Sequence, residues 1–273
     1  MKNKIFIVPH DFTSVADNAL DHALSTAKMV SAKIFLLHIV GKDREIEEAE
    51  KKMQDLIAKK DTTIDMIPFV IVGNIFDDIG EFASKHHADL IFMGTHGKHG
   101  WQHITGSRAL KVITHSKTPC IVVQERHIRP GGYNEIVVPL DLNKETKQKL
   151  AYVANIAHYF KSKVHVIIPD ETDEFLRHQV NANIIFAKRF FEERNIHITT
   201  KVIPDSGFDK EVVKYAVSID ADLIAIMNLN RNNFLGVITA NYEQYIITND
   251  AQIPALIVNP IDNPYQSDTQ FIH

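Results

Sequence analysis

The chain has 273 residues, 45% of them hydrophobic and 23% charged, enough apolar side chain for a sizeable core in one or two domains. Thirty basic against thirty-four acidic residues give a formal net charge of −4, which argues against a general nucleic-acid binder. A single cysteine, Cys120, excludes an internal disulfide and a cysteine-only zinc site.

The first element is the apolar run Ile5-Phe-Ile-Val8, as in a strand covered on both faces. Met1-Lys-Asn-Lys leads straight into it without a signal-peptide pattern, and no apolar run reaches ~20 residues, so a cytoplasmic protein without membrane contact is expected. Pro9-His10-Asp11-Phe12 breaks the strand, and Thr13 or Ser14 can cap a helix whose apolar face is Ala16, Ala19, Leu20, Ala23, Leu24 and Ala27. Lys33 to Val40 reads as a strand, 43–60 as a Glu/Lys-rich exposed helix, and Ile64 to Val72 as a third strand. A helix from about Ile75 to His86 follows, and at its end imidazolium on His86 and His87 would suit the helix dipole.

Ala88 to Val123 organises the rest. Ala88-Asp-Leu-Ile-Phe-Met93 reads as a buried strand, followed at once by Gly94-Thr95-His96-Gly97. A helix begins at Gly106-Ser107 with Leu110, Ile113 and Thr114 at helical spacing, and Pro119 introduces the strand Cys120-Ile-Val-Val123. Strand, glycine loop and helix start together suit an anion: glycine lets amides point inward, and the helix terminus adds partial positive charge. Strands alternating with helices imply an α/β fold with a parallel sheet, whose ligands sit beyond the carboxyl ends of the strands.

Beyond the short linker Arg129-Pro-Gly-Gly-Tyr133 the pattern restarts. Ile136-Val-Val-Pro139-Leu-Asp141-Leu matches Phe6 to Phe12, Leu150, Val153, Ala154 and Ala157 repeat the helix face, and Val164 to Ile168 repeats the second strand. Ala221-Asp-Leu-Ile224 repeats Ala88-Asp-Leu-Ile91, Ile238-Thr-Ala-Asn241 sits where Ile104-Thr-Gly-Ser107 sits, and Pro254-Ala-Leu-Ile-Val258 repeats Pro119 to Val123. Landmarks kept in order and spacing indicate internal duplication. Two domains are expected, residues 1–126 and 133–260, with a loose tail over 261–273.

At these residues the chain resembles the universal stress protein family in its tandem two-domain form. The resemblance covers nearly all of residues 4–258. It implies two Rossmann-like domains of the adenine nucleotide alpha hydrolase-like type, each a five-stranded parallel sheet flanked by helices. Nucleotide-binding members carry Gly, two residues, Gly, nine residues, Gly-Ser/Thr, which Gly94, Gly97, Gly106 and Ser107 match, although eight residues rather than nine separate Gly97 from Gly106. The family's adenine-contacting aspartate matches Asp11, beside Pro9, and the position whose backbone touches adenine matches Ile39. Met93 borders the implied pocket and His96 belongs to its loop. The implied ligand is ATP or another adenine nucleotide, with magnesium if a triphosphate, in a stress-response protein with an unknown protein partner. The resemblance also implies that the last strands of the two halves pair within the chain as a pseudo-dimer, leaving a homodimer of whole chains open.

In the second half Met227-Asn-Leu-Asn230 replaces the first glycine pair and Ala240-Asn241 replaces Gly106-Ser107. Side chains there block close backbone approach, so the second half is expected to be a degenerate scaffold or interaction half. Each singled-out residue also has a plainer explanation. The glycines can be a strand-to-helix turn with an N-cap serine, and Asp11 a helix-start acid favoured by the dipole. His96, His99 and His103 have metal-ligand offsets but lie in a glycine-interrupted loop. Lys98, Arg108 and Lys111 could screen phosphate or be ordinary surface cations, and Cys120 fits a buried strand better than a reactive thiol. No P-loop lysine, nucleophile elbow or water-activating base is found, so the chain is at most a slow ATP hydrolase. The alternative from another class is an interaction protein without nucleotide binding.

Overall fold

A computed structural model describes residues 4–60, 62–95, 112–114, 116–140, 144–229 and 240–260. Strand β1 (Ile5–Pro9) leads into helix α1 (Ser14–Val30), whose start is fixed by the Thr13 side chain accepting from the Ala16 amide. Strand β2 (Lys33–Val40), helix α2 (Ile46–Ala58) and strand β3 (Met66–Val72) follow, then helix α3 (Ile75–Lys85), strand β4 (Leu90–Gly94) and strand β5 (Cys120–Val123). The second half repeats the plan with β6 (Glu135–Pro139), α4 (Lys149–Phe160), β7 (Lys163–Pro169), α5 (Glu174–Glu192), β8 (Ile198–Ile203), α6 (Phe208–Ser218), β9 (Leu223–Met227), α7 (Ala240–Ile247) and β10 (Ala255–Val258). The sequence leaves α5, β8 and α6 unassigned, because the landmarks shared with the first half skip from Ile168 to Ala221. Among the described residues no helix is long and apolar enough to cross a membrane.

All ten strands form one sheet in the order β3-β2-β1-β4-β5-β10-β9-β6-β7-β8. Neighbours within each half are parallel, while β5 and β10 pair antiparallel, with Ala255 opposite Val122, Leu256 opposite Ile121 and Ile257 opposite Cys120. Helices cover both faces, which is why β1 is apolar at every position. Phe6 and Val8 enter the core beneath α1, α2, α4 and α5, and Ile7 enters the core beneath α3, α6 and α7. Cys120 is fully buried, and burial pushes its thiol pKa far up, so it packs as a small apolar residue. His86, expected to suit the helix dipole as imidazolium, packs at a tilt on Phe82 at 4.3 Å and Phe69 at 5.4 Å, and partial burial together with Lys85 lowers its pKa, which works against that role.

The two halves differ where β4 and β9 end. A Cβ on Gly94 would lie 2.5 Å from the Val15 carbonyl oxygen and 2.9 Å from the Ala16 amide nitrogen. Glycine is required there for the close approach of the first turn of α1. Met227 occupies the matching place on β9, and the matching stretch of the second half is a 3-10 turn, Lys144–Lys147, with α4 starting only at Lys149. The larger side chain and the displaced helix start go together.

Further bonds cross between the halves. Gln124 donates to the Asn249 carbonyl at 3.1 Å, and Asn259, at the matching place after β10, donates to the carbonyls of Ile113 and Ser116. Within the first half, Asn18 on α1 donates to the carbonyls of Gln124 and Arg126 at 2.8 and 2.9 Å. The buried His22 is gripped on both sides. Because a carbonyl can only accept, Nε2–H donates to Arg126 O at 3.0 Å, leaving Nδ1 to accept from the Tyr133 hydroxyl at 2.9 Å. The chain reaches Tyr133 through Gly132 at φ +78°, where a Cβ would strike the Phe160 ring.

Two outcomes follow. Replacing Gly94 with Val should cost about 1–3 kcal/mol or more in urea unfolding without any ligand present, since backbone atoms of α1 stand in the way. Burial lowers the His22 pKa from 6.5 to about 4. The folded state therefore binds fewer protons than the unfolded chain between those values. Its contribution is intact above pH 6.5 and is lost as pH falls through 4, amounting to roughly 3 kcal/mol in full. Unfolding free energies measured from pH 7 to pH 4.5 should fall more steeply for the native chain than for His22→Gln.

Candidate functional site

The sheet order reverses beside β1. The chain runs outward through β2 and β3, then returns to place β4 on the other side of β1. In an open parallel sheet such a reversal leaves a crevice beyond the carboxyl ends of the two strands, because the connecting loops diverge there. Pro9 ends β1, and Met93 and Gly94 end β4. Ile39 lies one residue from the end of β2, paired in register with Ile71. Pro9, Asp11, Ile39, Met93 and Gly94 are thus carried by the carboxyl ends of β1, β2 and β4 or by the loop after β1. His96, Gly97, Gly106 and Ser107 lie outside the described residues, as do Lys98, His99, His103, Arg108, Lys111, Asp141 and Asn230.

Each described residue has a visible local role. Asp11 is half-buried, and its Oδ1 accepts from the Thr13 amide at 3.2 Å and the Thr13 hydroxyl at 2.5 Å. It thereby holds the residue that caps α1. Met93 is fully buried in the core beneath α3, so it forms the floor below the strand end. Thr95 is also buried, and its amide extends the ladder by donating to Val123 O at 2.8 Å. Gly94 is glycine because α1 crosses so close. That contact sets the amide-rich start of a 17-residue helix against the end of β4, where partial positive charge favours an anion.

Three neighbouring rings are not evident from motif reading. His10 is buried, and its Nδ1 accepts from the Phe12 amide at 3.1 Å. Nε2 then carries the proton and has only a loose approach to Asp17 Oδ1 at 3.4 Å, without a well-aligned bond. Desolvation lowers the His10 pKa against the opposing pull of Asp17 and Asp11, so the ring is held neutral. His38 donates from Nδ1 to the His10 carbonyl at 2.7 Å and packs on Phe12 with ring centroids 4.7 Å apart. Phe12, at φ 64°, stands between the two imidazoles. The signal available in the sequence was the pair of histidines at or beside strand ends, His10 after Pro9 and His38 before Ile39. Together these residues form a half-buried aromatic surface next to the backbone of Ile39, with a carboxylate at Asp11 and a helix start beyond it. Such a surface can stack a flat heterocycle and pair with its polar edge.

A sequence profile described as "Universal stress protein family" matches residues 2–124. Among curated proteins, universal stress protein MJ0531 of Methanocaldococcus jannaschii is 29% identical over 142 residues, spanning 45% of this chain and 82% of that protein. Universal stress protein MJ0577 of the same organism is 26% identical over 156 residues, spanning 45% of this chain and 96% of that protein. Among solved structures, a universal stress protein from Archaeoglobus fulgidus superposes with a TM-score of 0.74 at 14% identity, covering 94% of this chain and 97% of its own. A Pseudomonas aeruginosa protein, PA1789, superposes at 0.67 with 16% identity, covering 95% of this chain and 93% of its own. The sequence likeness to the universal stress protein family thus rests on the first half, residues 2–124, and the likeness of fold to proteins of that kind spans both halves.

Proposed function

We propose that the first half binds an adenine nucleotide, with ATP as the leading candidate, and that the protein acts in cytoplasmic stress signalling with its second half as scaffold or interaction half. The observation that carries this reading is the reversal of strand order between β1 and β4, with Asp11, Gly94 and the start of α1 gathered at the carboxyl ends. The residues present fit the ligand: the His10, Phe12 and His38 rings suit a base, and the amides at the start of α1 suit a polyanion. In this reading Asp11 and the Ile39 backbone hold adenine, while Gly94, Gly97, Gly106 and Ser107 cradle the phosphates as the family motif implies. Magnesium would offset the charge of a bound triphosphate.

One observation favours a second reading, an interaction protein without nucleotide. The Asp11 carboxylate is already bonded inside its own loop and is explained by capping alone. Asn at this position keeps an acceptor for Thr13 while removing the charge, so Asp11→Asn separates the two roles. Titration with a fluorescent ATP analogue, with and without magnesium, should give saturable binding to the native chain. Asp11→Asn should weaken it by roughly tenfold, the worth of one hydrogen bond to a charged group, and Gly106→Val should weaken it further. Absence of binding at millimolar nucleotide, or affinity unchanged in Gly106→Val, would establish the second reading instead. Gly94→Val is unsuitable as a probe because it disturbs α1 directly.

A further inference from the structure

Helix α5 exposes a row of large apolar side chains that its counterpart in the first half does not. Its inner face is ordinary, with Val180, Ala187 and Phe191 buried beside the sheet. Outward, Phe175 and Ile185 are each 69% exposed and Phe186 is 44% exposed. In α2, at the matching place, the exposed positions are Glu47, Glu48, Glu50, Lys51, Lys52, Gln54, Asp55 and Ala58, with no large apolar side chain among them. Val202, 51% exposed on the edge strand β8, pairs in register with Ile168, whose side chain belongs to the core beneath α5, so it adds apolar surface on the same side of the sheet. Several large apolar side chains exposed on one side of a molecule make that side a candidate contact site.

We propose that α5 is a self-association surface, occupied by α5 of a second copy of this chain in antiparallel contact across a twofold axis. The outward stripe runs Phe175, Gln179, Ala182, Ile185, Phe186 and Arg189, at the three- and four-residue spacing of one helix face. Phe175 and Arg189, and Gln179 and Ile185, are equidistant from Ala182, and the counterpart of Phe186 is His178, an exposed residue beside the stripe. An axis at Ala182 sets Phe175 of one copy against Arg189 of the other, His178 against Phe186, and Gln179 against Ile185. Ala182 is the small residue that lets two helices cross closely. The charges suit the same arrangement. The acidic start, with Asp173 and Glu174, meets the end that carries Lys188 and Arg189, and the helix dipoles oppose. Arg189 bonds Glu193 at 2.8 Å on its own helix, an exposed pair that exchanges partners at little cost. A 19-residue helix is about 28 Å long and presents less than the ~800 Å² per partner of a standard interface. A contact of that size is expected to be reversible.

Sedimentation velocity on the full chain from 1 to 100 µM tests it. The native protein should pass from one chain mass to two. Phe186 also contacts Phe190 and Lys147 on its own surface, so circular dichroism and melting temperature are compared first for the variant Ile185→Asp/Phe186→Asp, with the single Ile185→Asp as the control. The double variant should weaken association by on the order of tenfold or more. Arg189→Glu should weaken it by about two- to fivefold, and adding Glu174→Arg should restore it, which a merely apolar patch would not show. A native chain that stays monomeric at 100 µM, including one whose α5 proves to take a membrane or another protein, would overturn the proposal. So would a dimer unaffected by the double aspartate variant.

Discussion

The antiparallel pairing of β5 with β10 is the contact on which the molecule depends. Each half by itself would end in a bare apolar edge, a row of unpaired amides and carbonyls beside fully buried side chains. Joining the two edges turns two five-stranded sheets into one of ten and gives each edge a partner of the same composition. The bonds around the seam follow from it. Gln124 and Asn259, the residues just beyond the paired strands, each reach a helix end in the opposite half. His22, Tyr133 and Arg126 then tie the linker to α1, and Arg126 and Arg129 tie it to Asp220.

Within that frame the copies have diverged by coordinated exchanges. Gly94 admits the start of α1, whereas Met227 stands where that turn would lie and the helix begins later. A second exchange lies under α3 and α6. Register places Ile5, Phe35 and Ile67 of the first half where the second has Glu135, His165 and Thr199, and the matching helix position is Phe82 in one and Tyr215 in the other. The first set packs as an apolar cluster. In the second set His165 bonds Glu135 at 2.6 Å on one nitrogen, and the hydroxyls of Tyr215 and Thr199 at 3.0 and 2.9 Å on the other. Such a network is tolerated because every member finds a partner; a single polar replacement among the four would have left an unsatisfied group.

The site at the ends of β1, β2 and β4 has the same economy. Asp11 organises its own loop, Gly94 accommodates a helix, and Met93 fills the core, so each earns its place without a ligand. What they have in common is location at the reversal of strand order, next to an imidazole and phenyl surface and the start of α1. The proposed binding role there rests on placement on the fold more than on any one side chain.

Much of this was legible in the residues themselves. Apolar runs broken by Pro and Gly marked the strands, helical spacing marked α1, α3 and α4, and repeated landmarks such as Pro119 to Val123 against Pro254 to Val258 revealed the duplication. These signals are local, set by burial on a sheet covered on both faces, and need no knowledge of distant contacts. The long α5 escaped notice because its apolar residues surround the helix instead of forming one stripe: Phe191 faces the core and Ile185 faces out. The reason for glycine at 94, the lowered pKa of His86 and His10, and the bonds of Asn259 with the first half were beyond reach for a different reason. Each depends on atoms brought near by the folded chain, a helix start, a ring cluster or a paired strand, and only the tertiary structure determines which groups meet.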